Sequence, residues 1–196
     1  MMSQRQGLLL VMSGPSGVGK TSIVHGMLAR LGAAFSVSAT TRQQTAQERD
    51  GEDYFFISND EFQRWINEDR FLEYAQVFGR SWYGTPREPV EGQLASGKIV
   101  VLDIDVQGAA QVRTAMPNAF GVFILPPSED ELFRRLKERG RDDEDAISRR
   151  FAEARKEIAI AQGSGVYDAF VVNDNLDRAI SEVESLVRKR LSAIPK

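Results

Sequence analysis

Apolar residues along this chain come in short unbroken runs, separated by longer segments in which they recur every three to four positions. The runs predict strands buried on both faces, and the periodic segments predict amphipathic helices. Leu8-Leu9-Leu10-Val11-Met12 is the first run, and Val24, Met27, Leu28 and Leu31 mark one face of a helix that Gly32 closes. Phe35–Ser38 predicts a second short strand, whereas Gln43–Glu52 has no apolar face and predicts a loop. Asp53–Ile57 returns to strand character. Ser58 and Glu61 then form a capping-box pattern ahead of a helix to about Asp69, with Phe62 and Ile66 on its apolar side. Phe71–Val77 predicts a strand that carries a carboxylate, Glu73, among apolar neighbours. Tyr83–Pro86 reads as a turn, and residues 88–96 as a helix ending at Gly97.

Lys98–Asp105 is the clearest strand, with four consecutive apolar residues and an acidic residue, Asp103, at its carboxyl end. Gly108–Met116 is compatible with a helix and Val122–Leu125 with a strand that stops at Pro126-Pro127. Ser128 and Glu131 make a second capping box, and the helix behind it carries Arg135 and Arg139 one turn apart, hence on one face. A further helix bears Arg149, Arg150 and Arg155. These arginines fit either a solvated, salt-bridged hairpin or a mobile lid that closes over phosphates. Ala169–Asn173 predicts the last strand, and a helix from Asp177 closes the chain. Strands and helices alternate throughout, so the expected class is α/β with a parallel, doubly wound sheet, and residues 40–95 form a small mixed lobe inserted between core strands.

Composition narrows the function by exclusion. The 196 residues suffice for one core with inserted lobes, and a formal net charge of −3 supplies no global field for nucleic acid or an anionic membrane. With no cysteine there are no disulfides, thiolate metal sites or thiol nucleophiles. The first apolar run is too short for a signal-peptide core or a membrane span, which predicts a cytoplasmic protein. The single histidine, His25, flanks a helix face and is given no role.

One stretch brings chemistry into this frame. Gly14-Pro15-Ser16-Gly17-Val18-Gly19-Lys20-Thr21 reads G-x-x-x-x-G-K-T between a strand and a helix. Backbone N–H groups of such a loop curl around a polyphosphate, and the helix N-terminus adds its positive dipole end. Lys20 is then expected on the outer phosphates and the Thr21 hydroxyl on Mg²⁺. Asp103, at the end of its strand, is either a turn residue or the acidic residue that orders the Mg²⁺ waters, and the loop favours the second role.

Several segments together resemble the guanylate kinase family: Gly14–Lys20, Val37–Arg42, Asp50–Tyr54, Phe71–Glu73, Tyr83–Thr85, Leu102–Gly108, Ile124–Ser128, Arg135–Gly140 and Val171–Asp174. They cover nearly the whole chain in the family's order. The resemblance implies a P-loop core (about residues 7–39, 96–126 and 160–196), a GMP-binding lobe (about 40–95) and a helical lid (about 127–159). It implies phosphorylation of GMP, and of dGMP, by ATP with Mg²⁺. It puts the acceptor base on Ser38, Glu73, Thr85 and Asp105, and the acceptor phosphate on Arg42, Tyr54 and Tyr83. Lys20, Arg135, Arg139 and Arg150 would meet the transferring phosphoryl, and Asn173 would lie near the ATP adenine. Base chemistry agrees. Guanine presents N1–H and its 2-amino group side by side, two donors that a carboxylate accepts together, whereas adenine offers a lone pair at N1. Two rival classes are a related small-molecule kinase, such as a ribose bisphosphate kinase, and a non-catalytic binding module of the same fold; the resemblance leaves the oligomeric state open.

The chain departs from the family's pattern at Gln44, Thr45 and Gln47, where proline, arginine and glycine are usual, and at Asn175, where an acidic residue is common. The span from Gly79 to Tyr83 is also one residue longer than usual. The family's arginine at position 45 helps to clamp the acceptor phosphate, and threonine offers a hydrogen bond without a charge. GMP binding is therefore expected to be weaker by roughly 1–3 kcal/mol than in relatives that keep the arginine, unless Arg49 substitutes. The variant Thr45→Arg is expected to lower the KM for GMP about tenfold in steady-state assays; an unchanged KM would count against a missing charge.

Overall fold

The computed structural model describes residues 7–77, 79–138 and 143–193. In chain order its elements are β1 (Leu8–Ser13), α1 (Lys20–Leu31), β2 (Ala34–Phe35), β3 (Ala39–Thr40), β4 (Phe55–Phe56), α2 (Asn59–Asn67), β5 (Phe71–Val77) and β6 (Ser81–Pro86). There follow α3 (Arg87–Ala95), β7 (Ile99–Asp103), α4 (Val106–Ala115), β8 (Phe120–Leu125), α5 (Glu129–Glu138), α6 (Glu144–Ser164), β9 (Ala169–Val172) and α7 (Leu176–Ala193).

All six residues of β1 are buried, as only a strand covered on both faces allows. It sits at the centre of a five-stranded parallel sheet of order β2-β7-β1-β8-β9. Alternation along the strand divides the core in two. Leu8, Leu10 and Met12 pack with Ile23 and Met27 of α1 and Val183 and Val187 of α7. Leu9 and Val11 pack on the opposite face with Val90 of α3, Val112 of α4 and Ala161 of α6. Helices thus cover both faces, and the fold is mixed α/β with a parallel, doubly wound sheet, as the alternating pattern predicts.

A second, mixed sheet has the order β4-β3-β6-β5. Helix α2 covers it through Phe62, which is fully buried and stacks on Phe71 with ring centroids 4.4 Å apart. The serine half of each expected capping box forms: Ser58 Oγ accepts from the Glu61 N–H at 3.1 Å, and Ser128 Oγ from the Glu131 N–H at 3.1 Å, while the Glu61 and Glu131 carboxylates bond arginines of their own helices. Helices α5 and α6 pair around Leu132, Leu136, Ile147 and Ala154.

Three local expectations need correction. The second strand occupies Ala34–Phe35, not 35–38, and Ala39–Thr40 already belongs to the second sheet. Tyr83–Pro86 is the carboxyl half of a strand rather than a turn. Gly and Pro suggest a turn locally, but pairing with both β3 and β5 overrides that preference, and Pro86 ends the strand where α3 begins. Helix α4 begins at Val106 rather than Gly108, because Asp105 caps it: Asp105 Oδ1 accepts from the N–H groups of Gln107 at 3.0 Å and Gly108 at 2.8 Å. Among the described residues no helix is long and apolar enough to cross a membrane.

Candidate active site

The carboxyl ends of β1, β7 and β8 lie side by side, and open parallel sheets bind their ligands at that edge. The turn from β1 into α1 is Gly14–Gly19, and α1 starts at Lys20 with no acidic residue in its first turn. The positive end of its dipole therefore has no local counter-charge. Gly19 has φ 90°, and a Cβ there would meet Asn173 Nδ2 at 2.6 Å, so both conformation and space demand glycine.

Val18 is wholly buried and anchors the turn in the core. Its carbonyl accepts from Asn173 Nδ2 at 2.7 Å and from Arg135 Nη1 at 3.3 Å. Arg135 also donates from Nη2 to the Asn173 carbonyl at 3.0 Å and from Nε to Glu131 at 2.7 Å. Asn173, which the family resemblance sets near adenine, is thus buried with its amide nitrogen committed to the loop. Arg150 Nη2 donates to Ser16 Oγ at 2.7 Å, so α5 and α6 each bring an arginine against the turn. Arg139 lies outside the described residues.

Lys20 Nζ stands 2.6 Å from Asp103 Oδ1 and 3.4 Å from the Ile104 carbonyl. Parallel register explains the pair, since Asp103 lies opposite Met12 at the end of β7 and Lys20 opens the helix that follows β1. Thr21 sits beside it, exposed in the first turn of α1. Among the described residues no cluster of three or more His, Cys, Asp or Glu could cage a metal by itself. Glu157 on α6 faces the same region: burial pushes its carboxyl up to about 7, against the favourable charge of Lys20. The sequence carried no signal for it, because a lone glutamate in a charge-rich helix has nothing to set it apart.

Across the cleft, β5 and β6 bring Glu73 directly opposite Thr85. Glu73 is 7% exposed, and Thr85 Oγ1 donates to its Oε1 at 2.6 Å. A Cβ on Gly108 would lie 2.8 Å from Glu73 Oε2 and 3.5 Å from Asp105 Oδ1, so the absent side chain lets the two carboxylates flank one backbone position. Burial pushes the Glu73 carboxyl up to about 7; the Thr85 hydrogen bond opposes the shift, and the Asp105 charge adds to it. Ser38 lies between β2 and β3, where its carbonyl accepts from the Phe55 N–H at 2.9 Å.

The third cluster gathers Arg42, Tyr54 and Tyr83. Arg42 Nε donates to Tyr83 Oη at 3.2 Å, and the two tyrosine rings meet edge-on with centroids 5.8 Å apart. Tyr83 thus reaches Arg42 from β6, where it pairs with Ala75 of β5 and Thr40 of β3. Sequence reasoning missed the partner that dominates here. Glu48 Oε1 and Oε2 accept from Arg42 Nη2 at 2.6 Å and Nη1 at 3.0 Å. Hydrogen bonding by Arg42, with further bonds from Thr45, holds the Glu48 carboxyl at about 2.

The site thus brings together a glycine turn at a helix N-terminus with Lys20, Arg135 and Arg150 around it, a buried carboxylate at Glu73, and Arg42 with two tyrosines. Comparison with known proteins identifies the family. The model of the guanylate kinase family matches residues 6–190. The chain belongs to the guanylate kinase family. It is 47% identical over 183 residues to a guanylate kinase of Synechocystis, covering 93% of this chain and 94% of that protein. With a guanylate kinase of Escherichia coli it shares 46% identity over 186 residues, covering 93% and 88% of the two chains. A crystal structure of guanylate kinase from Anaplasma phagocytophilum superposes with a TM-score of 0.75 at 30% identity, covering 97% of this chain and 89% of that one. The chain is accordingly a kinase, a transferase that binds nucleotides, and the family supports GMP as what it phosphorylates.

The Glu73 environment has a consequence for stability. Its carboxyl rises from an ordinary 4.5 to about 7 on folding. Between those values the folded state holds a proton that the unfolded state has released, so stability falls as pH rises from about 4.5 to 7 and the full penalty persists above. The variant Glu73→Gln is expected to be more stable than the wild type at pH 8 by about 1–3 kcal/mol, with the difference vanishing near pH 4. Urea denaturation of the ligand-free protein at the two pH values measures it.

Proposed function

We propose that this protein transfers the terminal phosphoryl group of ATP to GMP, and to dGMP, giving ADP and the nucleoside diphosphate, in the cytoplasm. The observation that carries the reading is the buried Glu73 carboxylate, held by Thr85 and flanked by Asp105, with no cation paired to it among the described residues. Guanine's N1–H and 2-amino donors complement that carboxylate, and adenine would set its own lone pair against it. A base edge with two donors supplies what the ligand-free site lacks.

In this scheme Ser38, Glu73, Thr85 and Asp105 hold the base, and Arg42, Tyr54 and Tyr83 hold its phosphate. The turn Gly14–Gly19 and the first N–H groups of α1 take the ATP phosphates, with Lys20 exchanging Asp103 for the outer phosphates as they arrive. Arg135, Arg139 and Arg150 meet the charge that spreads over the transferring group, while Asn173 keeps the turn in shape close to the adenine. Thr21 and Asp103 are the residues fitted to Mg²⁺: two oxygen donors beside the phosphate turn, with no all-protein cage among the described residues, suit an ion that arrives largely coordinated by phosphate and water. When bound, Mg²⁺ neutralises charge on the phosphate oxygens. In-line phosphoryl transfer needs positioning, exclusion of water and positive charge, so no protein nucleophile is invoked.

Formation of ADP with GMP, dGMP, AMP, CMP, UMP and a ribose bisphosphate offered in parallel tests the assignment. GMP and dGMP are expected to turn over at least 100-fold more efficiently than the others, and Lys20→Ala to lose at least 100-fold in kcat. Faster turnover of any other acceptor would overturn the reading.

A further inference from the structure

The acceptor-phosphate site proposed above is short of charge. A nucleoside monophosphate brings a charge of about −1.5 to −2 near neutral pH. Arg42 faces that position, but both of its terminal nitrogens are bonded to Glu48. Thr45, where relatives carry arginine, turns the same way: its N–H and its hydroxyl donate to Glu48 Oε2 at 2.9 and 2.8 Å. Arg49, the replacement nearest in sequence, has a side chain 76% exposed and pairs with Glu52 at 3.3 Å. None of the three brings net positive charge to the cleft.

Another arginine does. Arg80 stands at the tip of the β5–β6 hairpin, where its N–H closes the turn onto the Val77 carbonyl at 3.1 Å and Gly79 takes φ 63°. With Arg42, Tyr83, Ser81 and Val77, Arg80 lines a cavity of about 510 Å³. Among the described residues its side chain has no ion pair and no hydrogen bond, although it shares that cavity with the two residues assigned to the phosphate. An uncommitted guanidinium, a phenol and a second guanidinium around one open cavity form a site for a phosphate monoester.

We infer that Arg80 is the second cation that binds the acceptor phosphate, replacing from the hairpin the charge that position 45 has lost from the loop. The inference rests on the reading of GMP as acceptor. Because the contact is to the phosphate alone, Arg80 acts on GMP and leaves the nucleoside and ATP untouched.

The test is calorimetric binding of GMP and of guanosine to the full chain, with steady-state kinetics alongside. Arg80→Ala is expected to weaken GMP about tenfold or more in Kd and KM, with guanosine affinity, ATP KM and the thermal midpoint unchanged. Arg80→Lys is expected to keep part of the affinity, and adding Thr45→Arg to Arg80→Ala to restore it. Unchanged GMP affinity in Arg80→Ala, or an equal loss for guanosine, would refute the inference while leaving GMP as acceptor. A wild-type protein that binds AMP as tightly as GMP would refute the acceptor assignment and the inference with it.

Discussion

A buried carboxylate with no cation paired to it among the described residues is the constraint around which the cleft is arranged. Glu73 is placed by the pairing of β5 with β6, accepts one hydroxyl from the opposite strand, and faces a second carboxylate across Gly108. Burial raises its pKa to about 7, so at higher pH the fold bears a charge that the Thr85 hydroxyl satisfies only in part. Folding alone gains nothing from that arrangement, and a glutamine would serve the strand as well. The cost makes sense for a site whose ligand brings the missing donors, and it supplies base selectivity by the same means, because a base without those donors leaves the charge unpaired.

Several other charged groups of the site already have partners within the chain. Lys20 is paired with Asp103, Arg42 with Glu48, Arg135 with Glu131 and the loop carbonyl, and Arg150 with Ser16. In the proposed mechanism phosphate binding is therefore an exchange of partners. Each cation is held near its working position by a group of this chain and surrenders that group when the nucleotide arrives. Such pre-positioning limits the entropy lost on binding. It also means that a carboxylate such as Glu48 competes with the ligand, so an uncommitted cation nearby has a large effect.

Much of the fold was legible because burial on both faces leaves a plain mark. The runs Leu8–Met12, Ile99–Leu102 and Val122–Leu125 are all strands of the parallel sheet, and Ser58 and Ser128 cap the helices expected of them. The errors fall where long-range pairing outweighs local preference. Tyr83–Pro86 has turn residues but lies in a strand between two partners, and Asp105, which reads as the end of a strand, is a helix cap. At the candidate site, the turn Gly14–Gly19 and Glu73 stand out in the sequence, because one carries a motif and the other is a carboxylate in an apolar strand. Glu48, Glu157 and Arg80 do not. Glu48 sits in a polar loop whose neighbours Arg42 and Thr45 are close in sequence but have no periodic pattern to reveal the pairing; Arg80 in a hairpin and Glu157 in a charge-rich helix take their surroundings from the tertiary fold, as Arg150 and Ser16 do across 134 positions.

The central claim is that ionised Glu73 receives the guanine edge, and proton release on GMP binding tests it most directly. Titrating GMP into the ligand-free protein at pH 6.5 in buffers of different ionisation enthalpy counts the protons exchanged. A carboxyl held near 7 in the free protein and far lower against two donors must lose its proton on binding. More proton is expected to be released per GMP by the wild type than by Glu73→Gln at that pH, where the variant still releases the fraction of a proton carried by the phosphate, and the difference is expected to fall to near zero at pH 9. No release at pH 6.5, or the same release from Glu73→Gln, would contradict it.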